Sequence, residues 1–208
     1  MAYTARELQQ KYDRFARWYD WCDLIVEVLG AARGRRALLQ RARGKVLEVA
    51  AGTGRNLPYY PPGCDITAVD LSPAMLEVAR RRARRLGRPV RFALMDAERL
   101  AFRDHAFDTV VSTMSLCTIP HPVSALREMA RVCRPDGRLL FLEHGRSDRE
   151  WLARWQDRTA EKHARQLGCY WNRRPLDLVR EAGIPVVTGR KAVWGIFHLI
   201  EAAPLLKT

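Results

Sequence analysis

The feature that most constrains this chain is a repeated alternation, between Gly44 and Glu143, of short apolar runs with amphipathic segments. Val46–Ala51 reads as a buried strand and is followed at once by Gly52-Thr53-Gly54. Ile66–Asp70 reads as a second strand. Ser72 then caps a helix with Pro73 at its first position, and the helix runs to about Leu86 before stopping at Gly87. Val90–Leu94 and Ala106–Met114 are further strands, Val123–Cys133 is a helix closed by Pro135-Asp136-Gly137, and Arg138–Glu143 is a fifth strand. Helices follow at Asp148–Gln166 and Pro175–Ala182. The last two strands, Val186–Arg190 and Ile196–Glu201, have no helix between them. Apolar strands alternating with helices predict a mostly parallel sheet of seven strands covered on both faces, with the last strand antiparallel.

The N-terminal part has a different pattern. Residues 6–28 read as one amphipathic helix, with Leu8, Tyr12, Phe15, Tyr19, Cys22 and Val26 on one face and Lys11, Arg14, Trp18, Trp21 and Ile25 on a second line. Gly30 and Gly34 are expected to loosen the chain before a short helix at about 35–42. Residues 1–43 are therefore read as a helical lid and candidate membrane-interface segment, and residues 44–208 as one α/β domain.

Composition narrows the partners. The formal net charge is +13, and only five of the 36 basic residues are lysine. Arginine grips phosphate and carboxylate bidentately, so an anionic partner is favoured. There is no apolar run of membrane-spanning length, and the polar first ten residues lack the apolar centre of a secretory signal. Cysteines 22, 64, 117, 133 and 169 show no CxxC spacing, so neither a disulfide framework nor a zinc site is expected, and no metal is assigned. These features lead to the expectation of a cytoplasmic chain.

Ligands of open α/β sheets bind beyond the carboxyl ends of the strands. Four groups fall near strand ends here: Glu48 to Gly54, Asp70, Asp96, and Asp108 at the start of the fourth strand. Asp108 could equally fix the preceding turn. A dinucleotide fingerprint fails because Leu57 stands at its third glycine, and the GK[ST] of a P-loop is absent. The stretches VLEVAAGTG (46–54), AVDLSPAML (68–76), MDAERLAF (95–102), FDTVVSTMSLCTI (107–119) and RVCRPDGRLLFLEH (131–144) together resemble the class I S-adenosylmethionine-dependent methyltransferases. Ala51 departs mildly from the glycine or cysteine usual there. The resemblance implies a Rossmann-like class I methyltransferase fold and S-adenosylmethionine as cofactor, converted to S-adenosylhomocysteine. It implies cofactor contacts from Glu48, Ala50, Gly52 and Gly54, with the two glycines beneath the methionine part. It also implies ribose binding by Asp70, adenine packing by Leu71 or Met75, and adenine-edge contacts from Asp96 and Ala97. Ser112 or Thr113 would lie near the sulfonium.

The segment Tyr12-Asp13-Arg14-Phe15-Ala16-Arg17-Trp18-Tyr19-Asp20 resembles the YDxxAxxYD signature of quinone-biosynthesis and bacterial phosphatidylethanolamine methyltransferases. By that likeness Tyr12 and Tyr19 close over the cofactor. SLCTI (115–119), FLEHGR (141–146) and GCYWNR (168–173) resemble a small group of methyltransferases acting on thiols or associated with lipid membranes. His144, Glu143 and Tyr19 are the candidates for taking a proton from the acceptor. The resulting expectation is a peripheral enzyme that N-methylates phosphatidylethanolamine on an anionic membrane, the tryptophans of the first helix meeting the interface. The alternatives are a small lipophilic acceptor (thiol, quinone precursor or amine) and a nucleic-acid-binding protein. No nucleic-acid partner is expected, since no binding module is recognised and STMSLC replaces the Asn/Asp-Pro-Pro-Tyr/Phe of base methylation.

Overall fold

The computed structural model describes residues 3–22, 24 and 27–204, for Cys22 the backbone alone. Seven strands form one sheet: β1 (Lys45–Val49), β2 (Asp65–Asp70), β3 (Val90–Leu94), β4 (Phe107–Thr113), β5 (Cys133–His144), β6 (Val186–Ala192) and β7 (Phe197–Ala202). Their order is β3-β2-β1-β4-β5-β7-β6. β1 to β5 pair in parallel, and β7 inserts antiparallel between β5 and β6. This is the predicted architecture. The alternation of the strands explains its two cores. Leu47, Val110, Leu139 and Phe141 face the helix at Pro122–Val132, whereas Val46, Val111, Leu140 and Leu142 face the opposite layer.

The helices are α1 (Ala5–Phe15), α2 (Tyr19–Cys22), α3 (Ala32–Leu39), α4 (Pro73–Arg85), α5 (Pro122–Val132), α6 (Glu150–Leu167) and α7 (Pro175–Glu181). Thr4 and Glu7 form a reciprocal capping box at the start of α1. Ser72 caps α4, as expected, by accepting from the Met75 N–H.

The single helix expected over 6–28 is not formed. The chain turns at 16–18, resumes as α2, and passes through a π-helical turn at Glu27–Ala31 that is interrupted at Gly30. The break lets two aspartates reach different elements. Asp13 accepts from Ser72 Oγ at the head of α4, while Asp20 accepts from Thr53 and Arg55 beyond β1. Of the two lines read on the helix, Leu8 is buried, whereas Trp18 and Trp21 face solvent. Ile25, Val26 and the Cys22 side chain lie outside the described residues. Gly34 does not loosen the chain: it sits within α3, and a Cβ there would lie 2.9 Å from Leu142, so glycine lets α3 press onto β5.

Candidate active site

A cleft opens at the carboxyl ends of β1, β2, β3 and β4, enclosing about 900 Å³ with the solvent at its mouth. Its floor is Ala50 to Thr53, one wall is Asp70 to Ser72 with Met75, Asp96 and Ala97, and the other is Thr113 to Ser115 with Thr118, Ile119 and Pro120. Ala5, Leu8, Gln9, Tyr12 and Tyr19 cover it from the N-terminal segment. The rings of Tyr12 and Tyr19 lie 6.1 Å apart. Burial pushes the Tyr12 hydroxyl well above its ordinary pKa, so it stays protonated.

The backbone is strained where it meets the cleft. Ala50 and Met114, at the exits of β1 and β4, have φ of 54° and 56°, the left-handed region disfavoured for side chains. Gly52, with φ 55°, would carry a Cβ into open space. The Asp70 carboxylate fixes this floor: Oδ2 accepts from the Gly52 N–H at 2.7 Å and Oδ1 from the Ser72 N–H at 2.8 Å. Burial raises the Asp70 pKa, while these backbone donors oppose the rise. Asp96 is oriented by the Glu98 N–H, 2.9 Å from Oδ1.

Several residues expected at the site are elsewhere. Glu48 has the same strand parity as Val46, so it points beneath the floor. It accepts there from Asn56 Nδ2 at 3.0 Å and Tyr60 Oη at 2.9 Å, and burial pushes its pKa up to about 7. Gly54 lies off the cleft. A Cβ there would be 3.0 Å from Leu57 and 3.1 Å from Ala79, so it serves the close approach of α4. Of Ser112 and Thr113, only Thr113 lines the cleft. Ser112 points to the other face of β4, against Ser115 and Glu143.

Glu143 is fully buried and is not at the cleft. It accepts from the N–H groups of Ser115 and Leu116 at 2.9 and 3.0 Å, so it holds the loop between β4 and α5. Burial pushes its pKa up to about 7. His144 also misses the cleft and lies beside Cys169, 3.4 Å from Nε2 to Sγ. Asp108 sits at the opposite end of β4, accepting from the Lys45 N–H at 2.8 Å, and therefore fixes a turn. Tyr19 is the one of the three proton-handling candidates that faces the cleft.

Other residues of the site were missed. Arg35 reaches the cleft from α3, pairing with Glu27 at 3.0 Å and donating to Asn56 Oδ1 and Thr113 Oγ1, each at 2.6 Å. No local pattern marks it. Asp13 and Asp20 could have been found, because each follows a tyrosine of the YDxxAxxYD segment. Asp20 accepts from Thr53 Oγ1 at 2.7 Å and pairs with Arg55 and Arg82. Burial opposes its charge, but the Thr53 hydrogen bond and the two guanidinium groups outweigh that and hold its pKa below the ordinary value.

A parallel sheet of this order, with a cleft over the ends of its first four strands, defines a class I methyltransferase fold. The Methyltransferase domain family matches residues 47–141. The chain is 37% identical over 150 residues to the Phosphatidylethanolamine N-methyltransferase of Cereibacter sphaeroides, covering 71% of this chain and 74% of that protein. It is 28% identical over 218 residues to Methyltransferase OMS1, mitochondrial, of Saccharomyces cerevisiae, covering 95% and 46%. A Demethylmenaquinone methyltransferase of Renibacterium salmoninarum is 40% identical over 125 residues, covering 59% and 47%. The chain thus spans about half the length of the last two relatives. A crystal structure of a SAM-dependent methyltransferase from Thermotoga maritima superposes with a TM-score of 0.68 at 23% identity, covering 95% of this chain and all of that one. The chain belongs to the S-adenosylmethionine-dependent methyltransferases, and S-adenosylmethionine is its methyl donor.

Proposed function

We propose that this methyltransferase N-methylates phosphatidylethanolamine, and its partly methylated products, at an anionic membrane surface. The observation that carries the reading is a set of exposed tryptophans flanked by basic residues. Trp18 and Trp21 are 66% and 74% exposed beside Arg14 and Arg17, and Tyr19 between them lines the cleft. Trp151 and Trp194 stand 6.5 Å apart, 67% and 56% exposed, near Arg149 and Lys191 in sequence. Gly30 packs beside Val193 and Phe197, which brings the exposed Val28 and Leu29 toward the same region. Tryptophan favours the headgroup level of a bilayer, and each nearby basic residue adds about 1 kcal/mol on anionic lipid. The name of the Cereibacter sphaeroides relative supports the same acceptor. Among the described residues no helix is long and apolar enough to cross a membrane.

The cleft fits the methyl donor. Gly52 leaves open space where a side chain would intrude, and Asp70 is held at the rim as an acceptor for ribose hydroxyls. Leu71 and Met75 offer apolar surface to the adenine, with Asp96 and Ala97 at its edge. When bound, S-adenosylmethionine supplies a methyl group made electrophilic by its sulfonium. Tyr12 and Tyr19 exclude water and hold the acceptor in line. An ammonium has no lone pair, so Tyr19 Oη accepts its hydrogen bond and directs the departing proton to solvent.

The test is transfer of labelled methyl to vesicles of phosphatidylethanolamine and anionic lipid. Label is expected in the lipid, abolished in Asp70→Ala and reduced about tenfold in Trp18→Ser/Trp21→Ser, a loss of about 1.4 kcal/mol in membrane affinity. Cofactor binding without lipid label, accompanied by turnover of a soluble thiol or quinol, would overturn the lipid reading.

A further inference from the structure

Cys117, His144 and Cys169 converge behind the acceptor wall of the cleft. Their ligating atoms all lie within 4.8 Å of one another. They come from three separate elements: the β4–α5 loop, the end of β5, and the segment after α6. They lie in the segments SLCTI, FLEHGR and GCYWNR. The gaps between the three residues are far too long for a CxxC pattern, which is why cysteine spacing argued against a metal.

From this arrangement we propose that Cys117, His144 and Cys169 form a three-ligand site for a thiophilic divalent cation, zinc by preference, with water in the fourth position. The donor set is two thiolates and an imidazole, with no carboxylate in the cluster, which selects zinc over magnesium or calcium. Zinc–sulfur and zinc–nitrogen bonds of about 2.3 and 2.0 Å in a tetrahedron place sulfur and nitrogen about 3.5 Å apart. The Cys169 Sγ to His144 Nε2 separation is 3.4 Å. Binding exchanges two S–H bonds for two Zn–S bonds and releases two protons to solvent.

The surrounding backbone is already tied in place. The Tyr170 N–H donates to the Cys117 carbonyl at 2.8 Å, joining the two cysteine-bearing segments. The Tyr3 hydroxyl lies 3.0 Å from the Thr118 carbonyl and 2.7 Å from that of Gly168. His163 Nδ1 lies 2.8 Å from the Cys169 carbonyl, and Arg173 donates to the carbonyls of Leu116 and Ile119. Little rearrangement is needed to gather the three donors. The cation would lock the loop that carries Thr118 and Ile119, and so fix the acceptor wall of the cleft.

The experiment titrates the reduced, metal-free full-length protein with Co(II), then displaces it with Zn(II). One equivalent of Co(II) per chain is expected, with a near-ultraviolet thiolate-to-cobalt charge-transfer band that Zn(II) abolishes. Cys117→Ser and Cys169→Ser should lose the band, whereas Cys133→Ser should keep it. Zn(II) should raise the melting temperature of the parent chain and of Cys133→Ser only. No band in the reduced parent protein would overturn the proposal whether or not the variants fold. Recovery of a Cys117–Cys169 disulfide from protein purified without reductant, with that protein refusing Co(II) after reduction, would replace the metal with a redox pair.

Discussion

The two walls of the cleft are built by different means. The floor and the wall proposed to hold the cofactor come from residues that follow their own strands: Ala50 to Thr53 after β1, Leu71 and Ser72 after β2, and Asp96 and Ala97 after β3. The acceptor wall is assembled across the chain. The Tyr3 hydroxyl joins Thr118 and Gly168, 115 and 165 residues away. Glu143 pins the β4–α5 loop from the neighbouring strand. A wall made of local turns tolerates changes in distant segments, whereas a wall made of tertiary contacts can be reshaped by any of its contributors. That difference suits a family that shares one methyl donor and varies its acceptors.

The comparison can be sharpened first at the two glycines that follow β1. Gly54→Ala should destabilise the fold by about 2–4 kcal/mol, because a left-handed backbone and a contact with Ala79 both oppose the new methyl. Gly52→Ala meets no neighbour, so it should cost only about 1–2 kcal/mol. Its larger effect should be on S-adenosylmethionine affinity. Urea denaturation and calorimetry separate the two outcomes. Equal stability losses would mean that the α4 contact is not what requires Gly54.

A second change addresses the covering segment. Asp20→Ala removes the shared partner of Arg55 and Arg82 and the acceptor for Thr53. The parent pairs are partly exposed, so global stability should fall by only about 1 kcal/mol. Amide exchange over residues 5–22 should nevertheless accelerate, and cofactor affinity should weaken about tenfold, roughly 1.4 kcal/mol. Unchanged exchange would show that the other contacts of the segment, Asp13 with Ser72 and the packing of Leu8 among them, hold it without Asp20.

A third effect is a slope of stability with pH. Burial holds Glu48 and Glu143 at a pKa of about 7, against 4.5 for an ordinary glutamate. Between those pH values the folded chain retains protons that the unfolded chain releases, so stability should fall as pH rises from 4.5 to 7 and level off above. Glu48→Gln should remove its share of the slope in urea midpoints and leave that of Glu143. An unchanged slope would mean that Tyr60 and Asn56 keep Glu48 ionised.

What was legible in the sequence follows the same division. The positions of the first five strands, the helix cap at Ser72 and the strand-end residues of the cleft are written in short segments, so local pattern reaches them. Glu48 and Ser112 were misplaced because strand parity, not proximity to a strand end, decides which face a side chain takes. His144 and Glu143 were placed at the acceptor because the partners that claim them, Cys169 and the Ser115–Leu116 amides, lie about 25 to 30 residues away. The single N-terminal helix failed because apolar spacing alone does not register two aspartates drawn to different elements.

Those two aspartates have a kinetic consequence. Asp13 is anchored at the head of α4 and Asp20 on the residues after Gly52, which places both latches on loops that line the cleft. Where cofactor exchange waits on the opening of either latch, the rate of that opening caps turnover however fast the methyl group itself moves.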